Sequence, residues 1–154
     1  PEGLTRVRLL HYLSTVRLST GGVARAVLDL CAALARAGHE VTLASWSPDD
    51  VPPEWPREWR AEAGAAEVVE GPPGLPRVLA LPRPALPGGV FSPGQLRPLR
   101  AALRSVEVVH LHGMWLRSTT QVARAARRAR GAPGSSGVPY VVTPHGQLDD
   151  WTMA

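Results

Sequence analysis

The chain reads as a three-layer, Rossmann-like α/β domain built on a mainly parallel sheet. Three observations predict it: a strand–helix–strand unit within the first 46 residues, two later apolar strands separated by a helix, and a small residue or histidine where each strand ends. Residues 6–13 (Arg-Val-Arg-Leu-Leu-His-Tyr-Leu) form the first strand. Residues 22–37 carry Val23, Val27, Leu30, Cys31 and Leu34 at spacings that fall on one helical face. Gly38 follows, where helices commonly end in a left-handed residue, and 41–46 is the second strand.

Residues 47–98 hold most of the 16 prolines and read as a variable, Pro-rich excursion on the sheet edge. Short extended pieces are expected at 67–70 and 77–81. Ser92-Pro93 marks a helix start that leads through Leu96, Leu99, Ala102 and Leu103. Residues 106–111 are apolar on both faces, as in a central strand. A helix at 117–130, a turn segment at 131–137 and a last strand at 138–143 complete the chain.

At 154 residues, 44% hydrophobic and 19% charged, the chain can bury a core and is not of disordered composition. All 17 basic residues are arginine. The absence of lysine excludes Schiff-base chemistry and the P-loop phosphate site. The net charge is +4, and Arg124, Arg127, Arg128 and Arg130 cluster in one stretch. That stretch reads either as a solvated helix face or as a patch for anionic lipid or a phosphorylated substrate. No motif for reading nucleic acid accompanies it. Cys31 stands alone on the buried helix face, so no disulfide is expected and a cytoplasmic setting fits. No apolar run approaches eighteen residues.

The candidate site lies at the strand ends, because open parallel sheets bind ligands outside the carboxyl ends of their strands. Gly21-Gly22 opens the first helix, where the backbone can approach a ligand closely and free N–H groups face an anion. The dinucleotide Gly-x-Gly-x-x-Gly spacing is absent. His110 and His112 project from one face of their strand, with Gly113 beyond them. His110 reads first as a satisfied core histidine, whereas His112 sits where sites form. His145-Gly146 ends the neighbouring strand in the same way. Three histidines, His110, His112 and His145, could also hold zinc for hydrolysis. Asp149 and Asp150 are not assigned a direction and are not counted as ligands or bases.

The run Ser19-Thr20-Gly21-Gly22…Leu34-Ala35-Arg36-Ala37-Gly38-His39-Glu40-Val41 resembles the opening of GT-B glycosyltransferases of the retaining family 4 type. So do Val108-Val109-His110-Leu111-His112-Gly113-Met114-Trp115 and Pro139-Tyr140-Val141-Val142-Thr143-Pro144-His145-Gly146, most closely in members that build bacterial exopolysaccharide or lipopolysaccharide. The resemblance implies an acceptor-binding amino-terminal domain that works with a donor-binding carboxyl-terminal one. It implies that Gly21 and Gly22 meet the donor diphosphate, that His112 hydrogen-bonds the transferred sugar, and that His145, Gly146 and Gly113 line the cleft. Arg25 is a further phosphate candidate. No metal is implied, and the nucleotide-sugar is a co-substrate.

The family's glutamate pair does not follow His145, so the 154 residues are expected to be an incomplete enzyme, inactive alone. The implied location is cytoplasmic, peripheral at the inner face of the plasma membrane through Arg124, Arg127, Arg128 and Arg130. Two readings stand beside this one: a metal-dependent hydrolase using His110, His112 and His145, and a non-catalytic α/β binding domain.

Overall fold

A computed structural model describes residues 5–58, 73–129 and 137–146. Among these residues six parallel strands form one sheet: β1 (Arg8–Tyr12), β2 (Glu40–Ser45), β3 (Arg57–Glu58), β4 (Arg77–Ala80), β5 (Val108–His112) and β6 (Tyr140–Thr143). Their order is β3-β4-β2-β1-β5-β6. Three α-helices among the described residues cross over it: α1 (Gly22–Arg36), α2 (Arg97–Ala102) and α3 (Arg117–Arg128). The three-layer α/β fold expected from the sequence is the one observed.

Alternation along the strands separates two cores. Leu10 and Tyr12 of β1, with Val109 and Leu111 of β5, point to α2 and α3, where they pack with Leu99, Leu103, Val122 and Ala126. Val41 and Leu43 of β2 point to the other layer, against Val27, Leu28 and Cys31 of α1. Burying these apolar faces is the main term holding the layers together, at about 25 cal/mol per Å² of apolar surface.

Several local expectations shift. The buried stripe of α1 is Ala24, Val27, Leu28, Cys31 and Ala35, while Leu30 is 37% exposed. Ala24 and Ala35 extend that stripe, and Leu30 falls outside it. The burial of Cys31 is as expected, and burial pushes its thiol up to about 12. Gly38 takes its left-handed conformation at φ 94°.

The excursion at 47–98 is more than an edge decoration. Its extended piece at 77–81 becomes β4, hydrogen-bonded between β2 and β3, and Val78, Leu81 and Phe91 are buried. The piece expected at 67–70 lies outside the described residues, as do Arg130 and most of the 131–137 turn. The helix expected at Ser92-Pro93 begins only at Arg97, with Pro98 in its first turn. The Gln95 side chain accepts hydrogen bonds from the amides of Ser92 and Ala85 and donates to Arg83 O, which holds the preceding segment as a loop. Among the described residues no helix is long and apolar enough to cross a membrane.

Candidate functional site

The strand order reverses between β1 and β5, with β2 leading away on one side and β6 on the other. Such a switch point opens a crevice at the carboxyl ends of the strands. Four of the chain's five histidines gather there: His11 from β1, His110 and His112 from β5, and His145 just after β6. The β1–β5 register sets His11 directly beside His110. His11, His110 and His112 belong to the sheet face opposite Leu10, Tyr12, Val109 and Leu111, whose side chains pack toward α2 and α3, and His145 meets them from the turn after β6.

The rings are linked in a chain. His11 Nδ1 and His112 Nε2 are 3.0 Å apart, and His112 Nδ1 and His145 Nε2 are 2.9 Å apart. His110 lies beside this chain, its ring centroid 4.1 Å from that of His112, with its Nε2 2.7 Å from Thr143 Oγ1. Burial, helped by repulsion from His110, lowers His11 to about 4. Burial also lowers His112 to about 2, with His110, His11 and His145 opposing a second charge. His110 is lowered by burial and by His145. The buried rings are therefore neutral at pH 7.

A neutral imidazole has one N–H and one bare nitrogen, so the chain runs in one of two directions. His11 Nε2 is buried and has no hydrogen-bond partner. Orphaned buried N–H groups are rarer than under-satisfied acceptors. That points to His11 Nδ1–H donating to His112 Nε2 and His112 Nδ1–H donating to His145 Nε2. Both nitrogens of His112 are engaged by protein, and the residue is 3% exposed. His145 is half-buried and holds a left-handed backbone at φ 52°, which is uncommon for a residue with a side chain.

The other site residues are at the same sheet edge. β1 runs through a single 3-10 turn (Leu18–Thr20) into α1. Gly21 has φ 124° and ψ −175°, a region open essentially to glycine alone, while Gly22 is the first helical residue. A Cβ on either would meet nothing within 4 Å, so the surface there is open to a ligand. The loop is anchored from the end of β2: Asp50 Oδ2 accepts from Leu18 N at 2.6 Å and Asp49 Oδ2 from Arg17 Nε at 2.6 Å. Gly21→Ala should cost about 1–2 kcal/mol through its backbone angle alone, whereas Gly22→Ala should stay within about 0.5 kcal/mol of the parent. Urea unfolding followed by circular dichroism checks both; equal costs would contradict the assignment.

Arg25 is exposed one turn into α1, and no contact joins it to the histidines among the described residues. The amide of Gly113 donates to Thr143 O and so continues the β5–β6 ladder rather than facing a ligand. Gly146 is exposed beside His145. Asp149 and Asp150 fall outside the described residues. The sequence reading brought together three of the four clustered histidines and missed His11. A histidine near the carboxyl end of an apolar strand was the available signal, the same one that marked His110.

Residues 21–154 match the family model described as Glycosyl transferase 4-like domain. The chain belongs to this glycosyl transferase 4-like family. Neither the curated proteins nor the solved structures contain a match to it. The family match begins at Gly21, so β1 and His11 precede it, while Gly21, Gly22, His112 and His145 all fall inside it.

Proposed function

We propose that the chain is the acceptor-side domain of a retaining glycosyltransferase, moving a hexose-like sugar from a nucleotide-sugar to a glycan or lipid-linked acceptor. Membership of the family supports sugar transfer in general. The observation that carries the site is the histidine chain at the switch point, with His112 as its hub. In this reading His145 caps the outer nitrogen of His112 and yields it to a hydroxyl of the transferred sugar. His11 stays behind, fixing the ring and its tautomer. Gly21 and Gly22 let the donor diphosphate approach the amino end of α1, where free N–H groups and the helix dipole favour an anion. Arg25 adds a cation one turn on.

The diphosphate needs no resident metal here, since hard divalent cations seek oxygen ligands and this cluster offers ring nitrogens. The donor-binding half belongs to a second domain, and the 154 residues alone are proposed to transfer no sugar. Bacterial polysaccharide assembly is the proposed setting. The site would work in the cytoplasm, with Arg124, Arg127, Arg128 and Arg130 toward the inner face of the membrane.

The test is transfer of labelled sugar from a panel of nucleotide-sugars to a glycolipid fraction, with these residues alone and joined to a donor-binding domain of the family. Transfer is expected only from the joined form, and His112→Ala should lower it about 100-fold, the scale of losing one transition-state hydrogen bond in a dry site. Full activity in His112→Ala would remove the site.

One observation favours a second reading, a metal-dependent hydrolase. Ligand nitrogens of His11, His110 and His112 lie within 4.8 Å of one another, so His11 takes the place expected for His145 in a three-histidine set. Zinc bound one per chain, and lost in His110→Ala, would support that reading over transfer.

A further inference from the structure

The arginine-rich part of α3 belongs to a groove rather than to a flat patch. Arg124 and Arg128 of α3 face Arg100 of α2 and Arg104 just beyond it across a cavity of about 420 Å³. That volume falls in the range of small-ligand sites. Leu96 and Ala125 supply an apolar floor, and among the described residues no carboxylate lines the groove. Arg127, expected in the same cluster, is not part of the lining.

What sets these arginines apart is their convergence on one concavity. Arg6, Arg8, Arg17 and Arg77 each pair with a carboxylate. Arg100, Arg104, Arg124 and Arg128 make no ion pair among the described residues. Both helices run back from the carboxyl ends of the strands, so their last turns lie at the opposite sheet edge from the histidines. An arginine at a helix carboxyl end is favoured by the helix dipole, which accounts for single residues such as Arg100 and Arg128. The dipole does not account for four cations converging on one concavity without a counter-charge.

The groove is also held in shape. Gln121, on its wall, accepts from Phe91 N at 2.7 Å and donates to Phe91 O at 2.9 Å, fixing the segment before α2 to α3. With Gln121 engaged, the charged donors left to a ligand are guanidinium forks, which match phosphate oxygens two at a time.

We propose that this groove binds a phosphoryl-bearing anion one or two phosphate groups in size. An anionic phospholipid headgroup and a soluble phosphorylated compound present the same chemistry to it, and experiment separates them. The 154-residue chain would be titrated calorimetrically with inorganic pyrophosphate. It would also be sedimented with vesicles of phosphatidylcholine alone or mixed with phosphatidylglycerol.

The groove pair Arg100→Gln/Arg128→Gln would be compared with Arg6→Gln/Arg36→Gln, which removes the same charge elsewhere, and circular dichroism would confirm folding of both. Groove substitution should weaken binding about tenfold or more and the control pair less than about twofold. Groove-dependent binding of pyrophosphate alone identifies a soluble ligand. Groove-dependent binding of the mixed vesicles identifies a headgroup. Binding of neither probe, or equal weakening by the two pairs, overturns the proposal.

Discussion

Between about pH 6.5 and pH 4 the domain should lose several kcal/mol of stability, before most of its carboxylates protonate. The cause is the histidine chain. In the unfolded chain His11 and His112 titrate near the ordinary 6.5, but in the folded state they are lowered to about 4 and about 2. Below 6.5 the unfolded state therefore binds more protons than the folded one, and the unfolding free energy falls as pH falls. The stability is fully present above 6.5 and drains toward the folded values. At about 1.4 kcal/mol per pH unit and per group, His11 alone contributes on the order of 3 kcal/mol across that window, and His112 adds to it. His110 is lowered too and acts in the same direction.

Against a total of about 5–15 kcal/mol for a domain, this is enough to place acid unfolding well above the usual carboxylate range. Urea unfolding at half-unit pH steps measures the slope. The double variant His11→Asn/His112→Asn keeps polar side chains but removes the two titrating rings. It should flatten the curve between pH 4.5 and 6.5, even if its stability at pH 7 is lower. A wild-type unfolding free energy that does not change with pH there would contradict the burial and coupling of the cluster.

The same cluster shows where the sequence was legible and where it was not. β1, α1 and β2 could be read because their apolar residues follow one period at a time and Gly38 marks the helix end. His110, His112 and His145 could be read because each lies within three residues of a strand's carboxyl end, and His112 and His145 adjoin a glycine. His11 carries the same strand-end signal, one residue before the end of β1, but lies in an apolar run between Leu10 and Tyr12 with no glycine or loop beside it. Its partner His112 is 101 residues away, and only the β1–β5 pairing brings them together. The start of α2 was displaced by contacts much nearer in sequence. Ser92-Pro93 is a valid local start signal, but the Gln95 side chain takes the Ser92 amide and delays the helix to Arg97. Strand β4 was legible as an extended piece at 77–81 despite its Pro-rich surroundings, whereas its parallel pairing with β2 more than thirty residues away was not. For His11 a contact distant in sequence decides the placement, whereas at α2 the competing contacts span only three to twelve residues.

Gly137→Ala should destabilise the domain by about 3–4 kcal/mol, a large effect for one methyl group. Gly137 leads into β6 and is buried against the last turn of α3, where Val138 N donates to Ala126 O at 2.9 Å. Its φ of 71° is left-handed, which costs an alanine about 1–2 kcal/mol. The added Cβ would also sit 2.6 Å from the Arg127 carbonyl carbon and 2.7 Å from its Cα. These are backbone atoms of a helix packed on the sheet, so they cannot swing aside as the tip of a side chain could. Relief must come from moving α3 or the entry to β6, and overpacking of this kind costs about 1–3 kcal/mol.

Displacing β6 matters beyond stability, because β6 carries Thr143, which holds His110, and leads directly into His145, which caps His112. Gly137→Ala should therefore lower the urea midpoint and also shift the ring resonances of His110 and His112 in folded protein. Gly74→Ala, also left-handed at φ 83° but with nothing within 4 Å of the added carbon, isolates the backbone cost. If the two substitutions lower stability equally, the close approach of the β6 entry to α3 is not what fixes this edge of the site.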